Sequence, residues 1–306
     1  MIIEKQEDVT TAVLSELQRA PNARFKEIMS ALVRHLHDCA REVKLTEEEL
    51  RTAASYVNAI GKASTDSHNE AVLMAGSLGL SALVCLLNNG NGGETDASLL
   101  GPFWRQQSPP TPNGASIVRS PTPGEALFVR AWFRDVNDRP VVGAEVDIWQ
   151  SSTEGLYENQ DPKQADMNLR GKFRTDALGH VSFRSIKPAG YPIPITGPVG
   201  DLLRAQGRHN MRPAHLHVLA SKEGFKTLIS QVYVPDDPYL ETDVQFGVTR
   251  RLIGNYVRRD DEPAPDPGVD GPWYSLEYTF VMEPGESKLP AAPIKGKAEA
   301  EAAAPA

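Results

Sequence analysis

Two histidines stand two positions apart in Met211-Arg212-Pro213-Ala214-His215-Leu216-His217-Val218, and an apolar run, Val218-Leu219-Ala220, follows. Side chains of an extended backbone repeat every two residues. Both imidazoles would therefore leave one face of a strand, with Leu216 and Val218 turned into the opposite layer. A sheet presents two nitrogen ligands to one metal ion in this way. The same pattern also fits an ordinary strand carrying two half-exposed polar residues. His35 and His37 share the spacing but sit in a helical pattern, where two residues are about 200 degrees apart, so they cannot readily share a metal.

Two histidines alone make a poor metal site. There is no HExxH, and Cys39 and Cys85 both precede the β-rich part of the chain. Two tyrosines stand out instead. Tyr157 lies in Gly155-Leu156-Tyr157-Glu158, just after a strand-like run ending at Trp149-Gln150. Tyr191 lies in Gly190-Tyr191-Pro192-Ile193-Pro194, where prolines and a glycine fix an irregular backbone. Rigid loops at the edge of a scaffold are where functional residues concentrate. Taken singly, each tyrosine also reads as a packing residue with a bonded hydroxyl. Together with the histidines they have a chemical logic. A free phenol ionises near pH ~10, but a trivalent cation holds it as phenolate at neutral pH. Two tyrosinates, two neutral imidazoles and a hydroxide would surround Fe³⁺ with no net charge, and the hydroxide and one phenolate could exchange for the two oxygens of an ortho-diphenol.

The elements that must position these groups divide the chain. Phe25, Ile28, Met29, Leu32, Val33 and Leu36 recur at helical spacing, and Thr46-Glu47-Glu48-Glu49 has the form of a capping box. A further apolar stretch, Ala71 to Leu87, is too uniformly apolar for a solvated helix and should be buried against a second domain or a second subunit. Asn88 to Gly93 ends the helical region, and the texture changes to β. Leu127 to Phe133 and Val141 to Trp149 read as one hairpin, Phe173 to Thr175 and His180 to Arg184 as another. Thr227 to Val234 and Tyr274 to Met282 complete the strands. The fold class is therefore α+β. A helical domain, residues 1–95, precedes an antiparallel β-sandwich, residues 96–284, and a Pro-, Lys-, Glu- and Ala-rich tail, residues 285–306, is expected to fray.

The formal charge of −8 over 306 residues argues against nucleic acid or an anionic membrane as the main partner, since phosphate neutralisation needs clustered Lys and Arg. Only two cysteines are present, the N-terminus lacks a signal peptide's apolar core, and no window approaches the roughly 18 apolar residues of a membrane span. A cytoplasmic protein is expected.

In order along the chain, Leu100-Gly101-Pro102-Phe103, Gly155-Leu156-Tyr157-Glu158, Gly190-Tyr191-Pro192-Ile193-Pro194, Arg212-Pro213-Ala214-His215-Leu216-His217 and Gln231-Val232-Tyr233 strongly resemble the intradiol ring-cleavage dioxygenases. The nearest group contains the catechol, chlorocatechol and hydroxyquinol 1,2-dioxygenases. The resemblance implies non-haem Fe³⁺, one per subunit, bound by Tyr157, Tyr191, His215 and His217. It implies that Tyr191 leaves the metal when substrate chelates and then takes a substrate proton. It also places Arg212 beside the bound ring, where a cation stabilises developing negative charge, and makes Gln231 a further polar residue of the site. Arg212 in an ordinary surface salt bridge is the bland alternative. Both atoms of O₂ would enter a cis,cis-muconate-type diacid without NADH or flavin. A homodimer through the helical domain, with bound lipid in its groove, is a further implication.

The substrate pocket implied by the resemblance includes Leu73, Gly76, Leu99, Phe103, Ile193 and Pro194. Ile193-Pro194 and the Leu-Gly-Pro-Phe entry lean toward hydroxyquinol, but that branch leads one to expect an acidic residue near Gly76. A glycine there leaves room for a bulkier substituent, so hydroxyquinol and catechol stand level, with a substituted or chlorinated catechol as the alternative. Three rivals of other classes remain. A non-catalytic β-sandwich binding module would be colourless, a zinc hydrolase on His215 and His217 would need a carboxylate ligand, and an extradiol enzyme would pair Fe²⁺ with two histidines and a carboxylate.

Overall fold

The computed structural model describes residues 2–65, 68–90 and 92–294. By packing, the chain separates into two compact units, Met1–Ala59 and Ile60–Ala306.

In the first unit, helix α1 (Gln6–Leu17) packs with α2 (Ala23–Glu42), and α3 (Glu47–Ala63) runs on across the division. Local chemistry starts two of these helices. Asn22 accepts the Phe25 N–H at 2.9 Å. The expected capping box forms, with Glu49 N–H donating to Thr46 Oγ1 at 3.3 Å and Thr46 N–H to the Glu49 carboxylate at 2.8 Å. His37 Nδ1 lies 2.9 Å from Thr10 Oγ1 and His35 is exposed, so this histidine pair does not converge. The apolar stripe of α2 is left open: Phe25, Ile28, Leu32 and Leu36 are all exposed, and no α2 residue is buried.

The second unit opens with the apolar stretch expected as one helix. It is broken into α4 (Glu70–Ser77) and α5 (Leu80–Leu87), bent by 75° at Gly79, whose φ of 75° an L side chain rarely adopts. Among the described residues, no single helix is long and apolar enough to cross a membrane. Burial is met only in part. Leu73, Gly76 and Ser77 of α4 are covered, whereas α5 buries only Ala82. Direct contacts tie α4 to the rest of this unit. The buried Glu70 accepts the Val199 N–H at the start of α6 (Pro198–Ala205), and Arg208 donates to the Ser77 carbonyl at 2.7 Å.

The rest is a two-layer β-sandwich. One sheet has the order β4 (His180–Ile186), β1 (Ala126–Asp135), β10 (Trp273–Met282), β9 (Asn255–Arg259). The other has β3 (Arg170–Arg174), β2 (Glu145–Trp149), β7 (His215–Ser221), β8 (Leu228–Tyr233). A two-stranded ribbon joins β5 (Tyr191–Pro192) to β6 (Met211–Arg212). Leu127, Val129 and Phe133 of β1 meet Val146, Ile148, Leu216 and Val218 of the facing sheet in the core.

Three expectations are corrected here. Neither predicted hairpin exists, because β1 and β2 lie in different sheets, as do β3 and β4. Their turns form as expected, with Asp135 and Asp176 side chains binding the turn N–H groups, but they are corners between layers. The apolar faces of the successive strands oppose one another across the core. The sandwich is also not wholly antiparallel, since β1 and β10, far apart in the chain, pair in parallel. Finally, residues 285–294 are held in place: Lys288 N–H donates to Thr227 Oγ1 at 3.0 Å, and Ile294 is buried. The remainder of the expected tail, 295–306, lies outside the described residues.

Candidate active site

Strand β7 runs between β2 and β8, and its register sets His217 opposite Trp149 and Gln231, and His215 opposite Tyr233. The two-residue repeat puts both imidazoles on one face, while Leu216 and Val218 enter the core. They are not half-exposed; each is only 1 % accessible. Their Nε2 atoms lie 3.1 Å apart, and the Trp149 indole stacks on His217 with ring centres 4.5 Å apart. His215 Nδ1 is 2.7 Å from the Pro213 carbonyl. A carbonyl only accepts, so Nδ1 carries the hydrogen and Nε2 presents a lone pair. Burial, with Arg212 adding to it, pushes the His215 imidazole down to about 3. Burial and His215 push His217 well below its ordinary value. Both rings are therefore neutral, the form in which an imidazole can ligate a metal.

Tyr157 Oη joins them, 3.0 Å from His217 Nε2. Its loop leaves β2 and turns at Gly155, whose φ is +74°. A Cβ there would stand 3.1 Å from Tyr191 Cβ, so glycine lets the two tyrosine segments lie together. The Tyr157 and Tyr191 rings meet edge-on, 5.3 Å between centres, and Tyr191 lies 5.5 Å from the His215 ring. Tyr191 sits not on an isolated loop but in the β5–β6 ribbon, directly opposite Arg212. Burial, and then the neighbouring Tyr191, hold the Tyr157 phenol well above its usual range. The protein alone thus keeps this phenol protonated, and a strongly polarising cation is what would ionise it.

Arg212 is no surface salt bridge. It is 2 % exposed, and its Nε and Nη2 donate to the Asp243 carboxylate at 3.1 and 3.0 Å. Nη2 also donates to Gln231 Oε1 at 3.1 Å and Tyr233 Oη at 3.0 Å. Burial opposes the guanidinium charge, but Asp243 and the nearby tyrosines outweigh it and keep the group fully charged. Gln231 Nε2 in turn donates to the Leu99 carbonyl at 2.7 Å and stands 3.3 Å from His217 Nδ1.

The pocket residues divide. Phe103 lies 4.4 Å from the Tyr157 ring and 6.5 Å from that of Tyr191, and Leu99 touches Gln231. At Gly101 a Cβ would come within 3.3 Å of His217 Cε1, so this entry segment passes directly over the imidazole. Ile193 is buried beyond β5, its N–H donating to the Asn210 carbonyl at 2.8 Å, and Pro194 is half-buried. Leu73 and Gly76 lie on α4, where Gly76 meets Gln245.

Sequence reasoning missed three groups. Asp243 looked like any of 40 acidic residues. Gln245 carries no motif. Glu158 follows Tyr157 directly, and its Oε1 accepts from Arg170 Nε at 2.6 Å and Arg105 Nη1 at 2.9 Å, anchoring the Tyr157 loop through a buried network. Only Glu158 was discoverable, as a carboxylate adjoining a candidate ligand.

Among the described residues, no group of three His, Cys, Asp or Glu could hold a metal ion, so no carboxylate or thiolate completes the two imidazoles. The side chains packed beside the two imidazoles are instead the phenols of Tyr157 and Tyr191. Two neutral nitrogens and two hard oxygens in a dry pocket suit a hard, highly charged cation such as ferric iron.

A family model described as Dioxygenase matches residues 99–284, and one described as Catechol dioxygenase N terminus matches residues 22–95. The chain belongs to the intradiol ring-cleavage dioxygenases. It is 40 % identical over 280 residues to a 6-chlorohydroxyquinol 1,2-dioxygenase of Cupriavidus pinatubonensis, covering 91 % of this chain and 98 % of the relative. A hydroxyquinol 1,2-dioxygenase of Rhizobium sp. is 38 % identical over 281 residues, 90 % of this chain and 95 % of its own. Among solved structures, the hydroxyquinol 1,2-dioxygenase of Pseudomonas putida DLL-E4 matches with a TM-score of 0.84 and 37 % identity, covering 92 % of this chain and 99 % of that one. This intradiol dioxygenase therefore shares fold and catalytic class with an iron-dependent family.

Proposed function

We propose that the chain holds one ferric ion per subunit through Tyr157, Tyr191, His215 and His217, and uses O₂ to open an ortho-diphenol between its two hydroxyl-bearing carbons. The product is a cis,cis-muconate-type diacid. The observation that carries this reading is the buried convergence of Tyr157 Oη and His215 Nε2 on His217 Nε2, at 3.0 and 3.1 Å, with no carboxylate among them. When bound, ferric iron supplies a Lewis-acidic centre that chelates both ring oxygens and draws electron density from the ring. The chain's own residues do the rest. Tyr191, in a two-residue ribbon rather than a long strand, is the phenol able to give up its place and take a substrate proton. Arg212 holds a fixed positive charge beside the ring, positioned by Asp243, Gln231 and Tyr233, and stabilises negative charge developing there. The walls around Phe103 and Trp149 exclude water.

The relatives named for hydroxyquinol and 6-chlorohydroxyquinol favour a ring with a third hydroxyl over catechol itself. A second copy of the chain covering the open α2 stripe, and a lipid chain against the exposed leucines of α5, complete the proposal.

The test is spectroscopic and chemical. Ferric tyrosinate absorbs visible light, so the purified protein should be red-brown with stoichiometric iron. Tyr157→Phe and His217→Ala should lose both iron and colour. Oxygen uptake across hydroxyquinol, catechol and 4-chlorocatechol should yield ultraviolet-absorbing diacids. A colourless iron-free protein, or a yellow semialdehyde product, sinks the reading.

A further inference from the structure

We infer that Gln245 is the specificity-determining residue of this dioxygenase, its amide filling the space that Gly76 leaves on α4 and accepting a hydrogen bond from a hydroxyl on the substrate ring. The inference rests on the ring-cleavage reading above and extends it to the choice of substrate.

A Cβ built on Gly76 would stand 1.7 Å from Gln245 Oε1 and 2.7 Å from its Cδ. No side chain can occupy residue 76 while Gln245 keeps this position; the two residues interlock. Gln245 is 7 % exposed, its Nε2 donates to Ser77 Oγ at 2.9 Å, and its backbone N–H donates to Asp243 Oδ1 at 3.1 Å. Among the described residues, its Oε1 accepts no hydrogen bond from the protein. This oxygen is not among the fully buried unpaired atoms, so it keeps an open side to which a ligand hydroxyl can donate.

Its place in the site follows from a continuous chain of contacts. His217 neighbours Gln231, Gln231 binds Arg212, Arg212 binds Asp243, and Asp243 accepts the N–H groups of both Gln245 and Gly247. The segment carrying Gln245 is therefore folded around the head of the arginine assigned to the ring. Arg208 locks it to α4, donating to the Ser77 carbonyl at 2.7 Å and the Val244 carbonyl at 2.8 Å, with its guanidinium 4.6 Å from the Phe246 ring centre. Gln245 is not a free surface side chain that happens to lean inward.

An acidic residue near 76 would be the expected reader of a third hydroxyl, and this chain lacks it. The structure supplies a neutral acceptor instead, the Gln245 amide packed against Gly76 and Ser77. Such an acceptor favours a ring hydroxyl and disfavours chlorine or methyl at that position, either of which would leave Oε1 unpaired. The glycine does not open room for a bulkier ring, because Gln245 already takes that room.

Two measurements test this. In the iron-loaded enzyme, Gln245→Leu, with Gln245→Met as a second variant should leucine fold poorly, should lower the hydroxyquinol to 4-chlorocatechol ratio of kcat/KM about tenfold, mainly through KM. An unchanged ratio overturns the inference. Thermal melting of the four proteins wild type, Gly76→Ala, Gln245→Ala and the double variant needs no turnover. Gly76→Ala should lower Tm by several degrees in the wild-type background and far less beside Gln245→Ala. Equal losses in both backgrounds would show that the residues do not interlock. A wild-type protein that binds no iron and cleaves no diphenol would instead refute the ring-cleavage reading, while the melting cycle still reports on the packing.

Discussion

At the scale of single residues, the site depends on a buried charge pair as much as on its four donors. Arg212 and Asp243 are both nearly inaccessible and share two hydrogen bonds. Removing one partner strands the other, which costs about 3–5 kcal/mol in comparable buried pairs. We expect Asp243→Asn to lower Tm sharply at neutral pH, and Arg212→Ala to keep iron while turnover falls at least roughly a hundredfold. Acid provides the control. Burial alone would raise the Asp243 carboxyl, but Arg212 and two backbone N–H groups outweigh it and hold it below its ordinary value. The unfolded chain then binds this proton first. The pair's contribution is complete above pH about 4 and is lost as pH falls through the folded value. The gap in Tm between wild type and Asp243→Asn should therefore narrow in melts taken below pH about 4, and a gap independent of pH would assign it to packing. The ligands were legible in the sequence because each sits in a contiguous motif whose prolines and glycines prefigure its backbone. Asp243 and Gln245 were not, because contacts 31 and 168 residues long create their roles.

At the scale of elements, the strands were legible and their partners were not. Alternating apolar residues in Leu127 to Phe133 and Val146 to Ile148 show that each run has a buried face. They do not say whether the runs lie side by side or face to face, since both arrangements bury the same positions. For this reason the two corners between layers read as hairpins in the sequence. True pairing creates a testable oddity in β2. Asp147 lies opposite Lys172 of β3, with the ammonium 3.6 Å away, yet it is 5 % exposed. Burial pushes its carboxyl up to about 6 against that attraction. Here the folded chain binds the proton more tightly than the unfolded one, so the group's contribution improves as pH falls from about 6 toward about 4. Asp147→Asn should remove that slope and raise stability above pH about 7, by on the order of 3 kcal/mol for a shift of roughly two pKa units. A variant less stable than wild type at pH 8 would show that Lys172 outweighs the desolvation.

At the scale of the whole molecule, the candidate site and the open apolar stripe of α2 belong to different units. Every donor, charge and pocket residue named above lies at or beyond Leu73, within Ile60–Ala306. Phe25, Ile28, Leu32 and Leu36 form one stripe along α2, a helix of 20 residues and so about 30 Å long. An amphipathic helix keeps such a stripe because something covers it. A second α2 laid along it, with neighbouring residues from each chain, has the dimensions of the roughly 800 Å² per partner that a stable interface buries. We expect wild-type protein to sediment at about twice its 33.4 kDa chain mass. The pair Phe25→Glu and Leu32→Glu should sediment as monomer, since two carboxylates per chain would be desolvated and opposed in the interface. No α2 residue is buried within the single chain, so these substitutions leave the fold of each subunit intact. Iron content and turnover per subunit should stay within about twofold, because every ligand and pocket residue proposed above lies in the second unit. Wild type sedimenting as a monomer at micromolar concentration would reject the paired stripe. A double variant that remains dimeric would move the interface to another face.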